Sequence, residues 1–155
     1  MFVTLASHSM GAALAVTVAL QQPERIERLV LIGPAGLPLT KPMRASLSDF
    51  FGQVGERVYT PRELARVLLG ALAAPRATLD LARAVRALDL RRQLEALSRR
   101  GIRTDVVGCV GDTLTPVAHC RRIARLAGAG YREVDVRGGH MWMLFEPAAF
   151  AAALA

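Results

Sequence analysis

The chain opens on an apolar run, Phe2 to Ala6, whose valine and threonine suit a buried extended strand. The run breaks at Ser7-His8-Ser9-Met10-Gly11 and becomes an unbroken small-and-apolar stretch, Ala12 to Leu20, ended by Pro23. That pattern predicts a buried helix stopped by proline. Ile26 to Ile32 (IERLVLI) predicts a second strand, closed by Gly33-Pro34-Ala35-Gly36. Strand, helix and strand in this order favour a parallel sheet with a right-handed crossover.

From Leu37 to about Arg100 the pattern is helical and shows no strand. Thr60-Pro61-Arg62-Glu63 predicts a helix start, with threonine as cap, proline first and glutamate third. A further start falls at Thr78 to Asp80. So long a helical insert between strands predicts a cap or lid, because a crossover needs far fewer residues. Strand signals resume at Thr104 to Val110, followed by a helix from Pro116 to Leu126. A strand from Tyr131 to Val136 and a last helix from about Pro147 complete the chain. The class is therefore α/β, with about four mostly parallel strands and helices on both faces. Residues 1–36 and 101–155 form the core, and 37–100 the helical cap.

Composition narrows the function without defining it. Formal charge is +7, carried by nineteen arginines and one lysine, with no asparagine. Arginine and alanine have GC-rich codons, so this bias reflects genome composition as much as any partner. The densest stretch, Arg76, Arg83, Arg86, Arg91, Arg92, Arg99, Arg100 and Arg103, is interleaved with Asp80, Asp89 and Glu95. It predicts a solvated helical face and not a nucleic-acid surface. Cys109 and Cys120 form no disulfide framework and no CxxC pair. His119 with Cys120 finds no third ligand at suitable spacing, so neither metal nor cofactor is expected. The apolar stretch from Met10 to Leu20 is too short to span a bilayer, and the expected compartment is cytoplasmic.

Three residues sit just past the C-terminal ends of predicted strands, where open α/β sheets place their sites. Ser9 lies on a tight strand-to-helix turn that pushes its hydroxyl out of the sheet. The Met10 N–H, at a helix start, is suited to bind an oxyanion. Asp112 follows the third strand in Gly111-Asp112-Thr113-Leu114-Thr115-Pro116, and His140 follows the fourth in Gly138-Gly139-His140. Each alone has an ordinary reading, a turn aspartate or a surface histidine. Together they stand in the order nucleophile, acid, base, separated by 103 (112 − 9) and 28 (140 − 112) positions. This combination predicts that His140 takes the Ser9 proton, Asp112 fixes the imidazole, and an acyl-enzyme forms. His8 is expected to pack beneath the cap or against a loop, as part of the substrate pocket. Trp142 and Met143 are expected to serve as core and pocket wall together, favouring an apolar acyl or ester substrate.

The stretch SHSMGAALA resembles the nucleophile elbow of α/β-hydrolases, GDTLTP their acid loop and GGHMWMLFEP their histidine loop. The resemblance covers essentially the whole chain. It implies a serine hydrolase with Ser9, Asp112 and His140 in the catalytic roles, and a variable cap at 37–100. Ser7 stands where the family motif usually has glycine. Members also carry several strands and a second oxyanion loop before the elbow. The resemblance therefore implies a chain truncated at its N-terminus, with an exposed first strand through which two copies could pair. The competing expectations are a catalytically silent hydrolase fragment or binding module, and, more remotely, an arginine-based nucleic-acid binder.

Overall fold

The computed structural model describes residues 2–53 and 60–155. Four parallel strands form one sheet in the order β1 (Val3–His8), β2 (Ile26–Ile32), β3 (Thr104–Cys109) and β4 (Gly130–Val134). Each crossover steps one strand along in the same direction. Right-handed crossovers of that kind stack their helices on one face. Here α1 (Gly11–Gln21), α5 (Arg91–Arg99) and α6 (Val117–Ala127) share a core with the sheet, while α7 (Pro147–Leu154) covers the other face. Helices thus lie on both faces, as expected.

The alternation along β2 organises both cores, because successive side chains of a strand point to opposite faces. Leu29 and Leu31 pack with Val16, Leu94, Leu97 and Ile123. Val30 and Ile32 pack with Val107, Trp142 and Ala153. All four of these β2 residues are buried, which accounts for the continuous apolar run.

β1 and α1 are less buried than their composition predicts. β1 pairs only with β2 among the described residues, and Phe2 and Val3 are exposed. On α1 the small residues Ala12, Ala15 and Ala19 bring the helix close to the sheet, whereas Leu14 and Val18 on its far side face solvent.

Between β2 and β3 the described residues form four helices joined by irregular segments and no strand: α2 (Met43–Gln53), α3 (Pro61–Ala73), α4 (Pro75–Ala87) and α5. At the start of α3, the Glu63 N–H donates to the Thr60 hydroxyl at 3.3 Å and the Thr60 N–H to the Glu63 carboxylate at 2.8 Å. This is the reciprocal cap the sequence predicts. α4 starts at Pro75, earlier than Thr78, whose hydroxyl instead donates back to Ala74 O at 3.0 Å. α5 lies inside the segment read as cap, yet Leu90, Leu94 and Leu97 belong to the core. The core layer therefore resumes near Leu90. Three of the clustered arginines form exposed ion pairs, Arg83 with Asp80 and Arg99 with Glu95 along helix faces and Arg91 with Asp89 just before α5.

Candidate active site

Ser9 follows β1 directly and is the sole non-glycine residue with positive φ among the described residues, at 54°. A left-handed conformation costs a non-glycine residue about 1–3 kcal/mol and persists where its surroundings impose it. Those surroundings are backbone hydrogen bonds. The Ser9 N–H donates to Ile32 O at 3.0 Å, and Ser9 O accepts from Ala12 at 3.1 Å and Ala35 at 3.0 Å. Met10 is already helical and heads α1, so its N–H has no preceding helical carbonyl to bond. Ser7 fits the position beneath the turn: a Cβ added at Gly11 would meet Ser7 Cβ at an ordinary 3.8 Å.

Asp112 and His140 are brought together by the ends of β3 and β4. His140 Nδ1 lies 2.7 Å from Asp112 Oδ2, and both residues are buried, at 6% and 3% exposure. The other oxygen, Oδ1, accepts the Leu114 N–H at 2.9 Å and the Thr115 N–H at 2.8 Å. The aspartate is therefore a turn residue and a histidine partner at once, one oxygen for each. Gly138 at φ 98° makes the approach of the histidine loop possible. A Cβ there would sit 2.4 Å from the Phe145 ring and 2.8 Å from Trp142 Cα.

His8 and Gly33 connect Ser9 to this pair. The His8 ring centroid lies 4.5 Å from that of His140, and His8 Nε2 is 2.8 Å from His140 O. Gly33 follows Ile32, the partner of Ser9, and has φ 47°. A Cβ on Gly33 would stand 3.1 Å from Asp112 Oδ2 and 3.5 Å from His140 Cε1. Ser9, Asp112 and His140 thus share one end of the sheet. Asp105 lies at the other end of β3, ion-paired to Arg28 at 2.7 Å.

Electrostatics separate the histidines. Burial, reinforced by the nearby charge of His140, lowers the His8 pKa from 6.5 to about 4. Burial also lowers that of His119. A folded-state pKa below the unfolded value means that the unfolded chain binds the proton first. The stability His8 contributes is therefore present above pH 6.5 and lost as pH falls through about 4. Melting temperatures followed across that window should drop less steeply for His8→Gln than for the unaltered chain, with His119 supplying a remainder. Equal slopes would contradict this burial effect.

Other expectations are corrected or placed differently. Trp142 is 1% exposed inside the sheet–α7 core, edge-on to Phe150 at 6.2 Å, so it has no face left for a substrate. Met143 is partly buried and packs against the same cluster. Trp142 is therefore core and not pocket wall, because the turn after Gly139 directs it toward α7. His8 contacts the histidine loop through His140. Cys120 is buried, which pushes its thiol up to about 12, and burial raises Cys109 as well. Among the described residues no three His, Cys, Asp or Glu side chains are grouped to hold a metal. No described helix is long and apolar enough to cross a membrane. Thr115 and Gly33 were missed in the sequence. The available signals were a hydroxyl in the acid loop and a glycine directly after a strand.

A parallel sheet with Ser9, Asp112 and His140 past the ends of its strands defines the class of α/β hydrolases. The profile of the alpha/beta hydrolase family matches residues 2–153, and the chain belongs to that family. No curated protein matches it significantly in sequence. Est816, described as an N-acyl homoserine lactone degrading enzyme, is similar at 23% identity and a TM-score of 0.70, over 99% of this chain and 66% of its own. A hydrolase from Pseudomonas aeruginosa is similar at 26% identity and a TM-score of 0.60, over 99% and 63%. An esterase from Exiguobacterium antarcticum is similar at 20% and 0.67, over 97% and 64%. The chain thus spans slightly less than two thirds of the length of these proteins.

Proposed function

We propose that the chain is a serine hydrolase that cleaves a carboxylic ester of apolar character through an acyl-enzyme. The observation that carries this reading is the buried Asp112–His140 hydrogen bond of 2.7 Å beside a strained serine turn. In this mechanism His140 Nε2 removes the Ser9 proton as Oγ bonds to the ester carbonyl carbon. The Met10 N–H stabilises the oxyanion. Collapse expels the alcohol, which takes the proton from His140. Water, deprotonated by His140, then releases the acid and restores Ser9. Asp112 keeps Nδ1 protonated and stabilises the imidazolium throughout. Helices α2 to α4 form the cap in this reading. Their exposed Val67, Leu68, Leu69, Leu72 and Leu81 support an apolar substrate.

The test is hydrolysis of short-chain aryl esters by the purified chain and by its Ser9→Ala form. The unaltered chain should turn the ester over and the Ser9→Ala form should not. His8, its pKa lowered to about 4 by burial, is neutral under the conditions of such an assay. Equal rates from the two forms would argue against Ser9 as the nucleophile.

The reading of a catalytically silent fragment is favoured by one observation, the exposure of Phe2, Val3 and Leu14 along β1 and α1. An ester assay separates the two readings. The same exposed edge supports pairing of two copies through β1, which sedimentation would register as a dimer weakened by Val3→Lys.

A further inference from the structure

We propose that Thr115 is a positioning residue, whose hydroxyl holds the Asp112 carboxylate and through it keeps His140 in its Nδ1–H tautomer. The inference rests on the hydrolase reading of Ser9, Asp112 and His140, and adds a fourth side chain to it. Thr115 is 4% exposed and stands where three strand ends converge. Its Oγ1 lies 2.7 Å from Asp112 Oδ2, 3.1 Å from Gly33 O and 3.3 Å from His140 Nδ1.

A hydroxyl has one proton and two lone pairs. Directed at Gly33 O, the proton would leave the oxygen's lone pairs facing a carboxylate oxygen at 2.7 Å. Directed at Asp112 Oδ2, it makes a charge-assisted bond, which is the stronger kind. Oγ1 then presents a lone pair toward His140 Nδ1, whose own proton is committed mainly to Asp112 Oδ2 at 2.7 Å. The arrangement closes only if Nδ1 carries the proton. Without it, Nδ1, Oδ2 and Oγ1 would leave three acceptors with one proton among them. A protonated Nδ1 leaves Nε2 as the basic nitrogen, the tautomer a general base for Ser9 requires.

The Thr115 backbone N–H bonds the other oxygen, Oδ1, at 2.8 Å, and any residue except proline supplies it. Substitutions at 115 therefore isolate the hydroxyl. Thr115→Val keeps the shape and removes the oxygen, Thr115→Ala removes both, and Thr115→Ser keeps the oxygen alone.

Imidazole nitrogen NMR of the whole chain at alkaline pH reads the His140 tautomer whether or not an ester is turned over. The unaltered chain and Thr115→Ser should show a single Nδ1–H form, and Thr115→Val and Thr115→Ala a mixture of both forms. In ester hydrolysis the hydroxyl-free variants should lose about tenfold in kcat, the scale of one hydrogen bond to a charged group, with KM little changed. Should Thr115→Val fail to fold, the smaller Thr115→Ala carries the comparison. Hydroxyl-free variants with the wild-type tautomer would overturn the proposal, as would Thr115→Ser behaving like Thr115→Val. Failure of the hydrolase reading registers separately, as Ser9→Ala turning over esters like the unaltered chain.

Discussion

Replacing Ser9 by alanine is expected to lower ester turnover by about 10⁶-fold, the loss found when the nucleophile of a serine triad is removed. The backbone turn should survive, because it is held by main-chain bonds from Ser9 to Ile32, Ala12 and Ala35, which need no hydroxyl. Stability should therefore change little while activity disappears. Residues acting as one unit lose their effects together. The double variant Ser9→Ala with His140→Ala should accordingly be no slower than Ser9→Ala alone. Additive losses would mean that the two residues do not act in one step.

Asp112→Asn is expected to lower turnover by about 10⁴-fold at neutral pH, because the amide favours the wrong histidine tautomer. The asparagine side chain keeps an oxygen for the Leu114 and Thr115 N–H groups, so the acid loop should hold its shape. Its amide nitrogen then faces His140 Nδ1 as a donor, and the proton moves to Nε2. Asp105 is the control carboxylate. Asp105→Asn should leave kcat unchanged, since Asp105 sits at the opposite end of β3. It should nonetheless cost about 1–3 kcal/mol of stability, the scale for weakening a hydrogen bond between charged groups. The reason is Arg28, 8% exposed, whose Nε donates to Asp105 at 2.7 Å. The same guanidinium also donates to Leu154 O at 2.6 Å, so Asp105 helps anchor the end of α7 to the sheet. Equal losses of kcat from the two substitutions would mean that the acid has been wrongly assigned.

The strand ends were legible in the sequence because each carries a local signal. IERLVLI is continuously apolar because both of its faces are covered. The elbow and the two loops are marked by glycine, serine and aspartate at sharp turns. The cap of α3 is likewise written in four residues, Thr60 to Glu63. Long-range packing leaves no such mark. Leu90, Leu94 and Leu97 repeat at helical spacing like any amphipathic helix, and nothing local shows that α5 joins α1 and α6. Trp142 could line a pocket or fill a core; the direction of the turn after Gly139 decides, and it follows from tertiary packing. His8 and Thr115 are residues of ordinary composition whose importance arises from contacts across 132 and 25 positions of chain. Exposure along α1 was the opposite case. Its composition predicts a buried helix, while burial depends on neighbours that an apolar pattern does not specify.

The most direct test of the account is covalent labelling of the chain by a fluorophosphonate, followed by peptide mapping. The reagent reports an activated serine without requiring turnover. The predicted result is one adduct, on Ser9, absent from Ser9→Ala and formed far more slowly in Asp112→Asn and His140→Ala. An adduct on Ser7, Ser46 or Ser48, or ester hydrolysis that persists with Ser9 unlabelled, would contradict it.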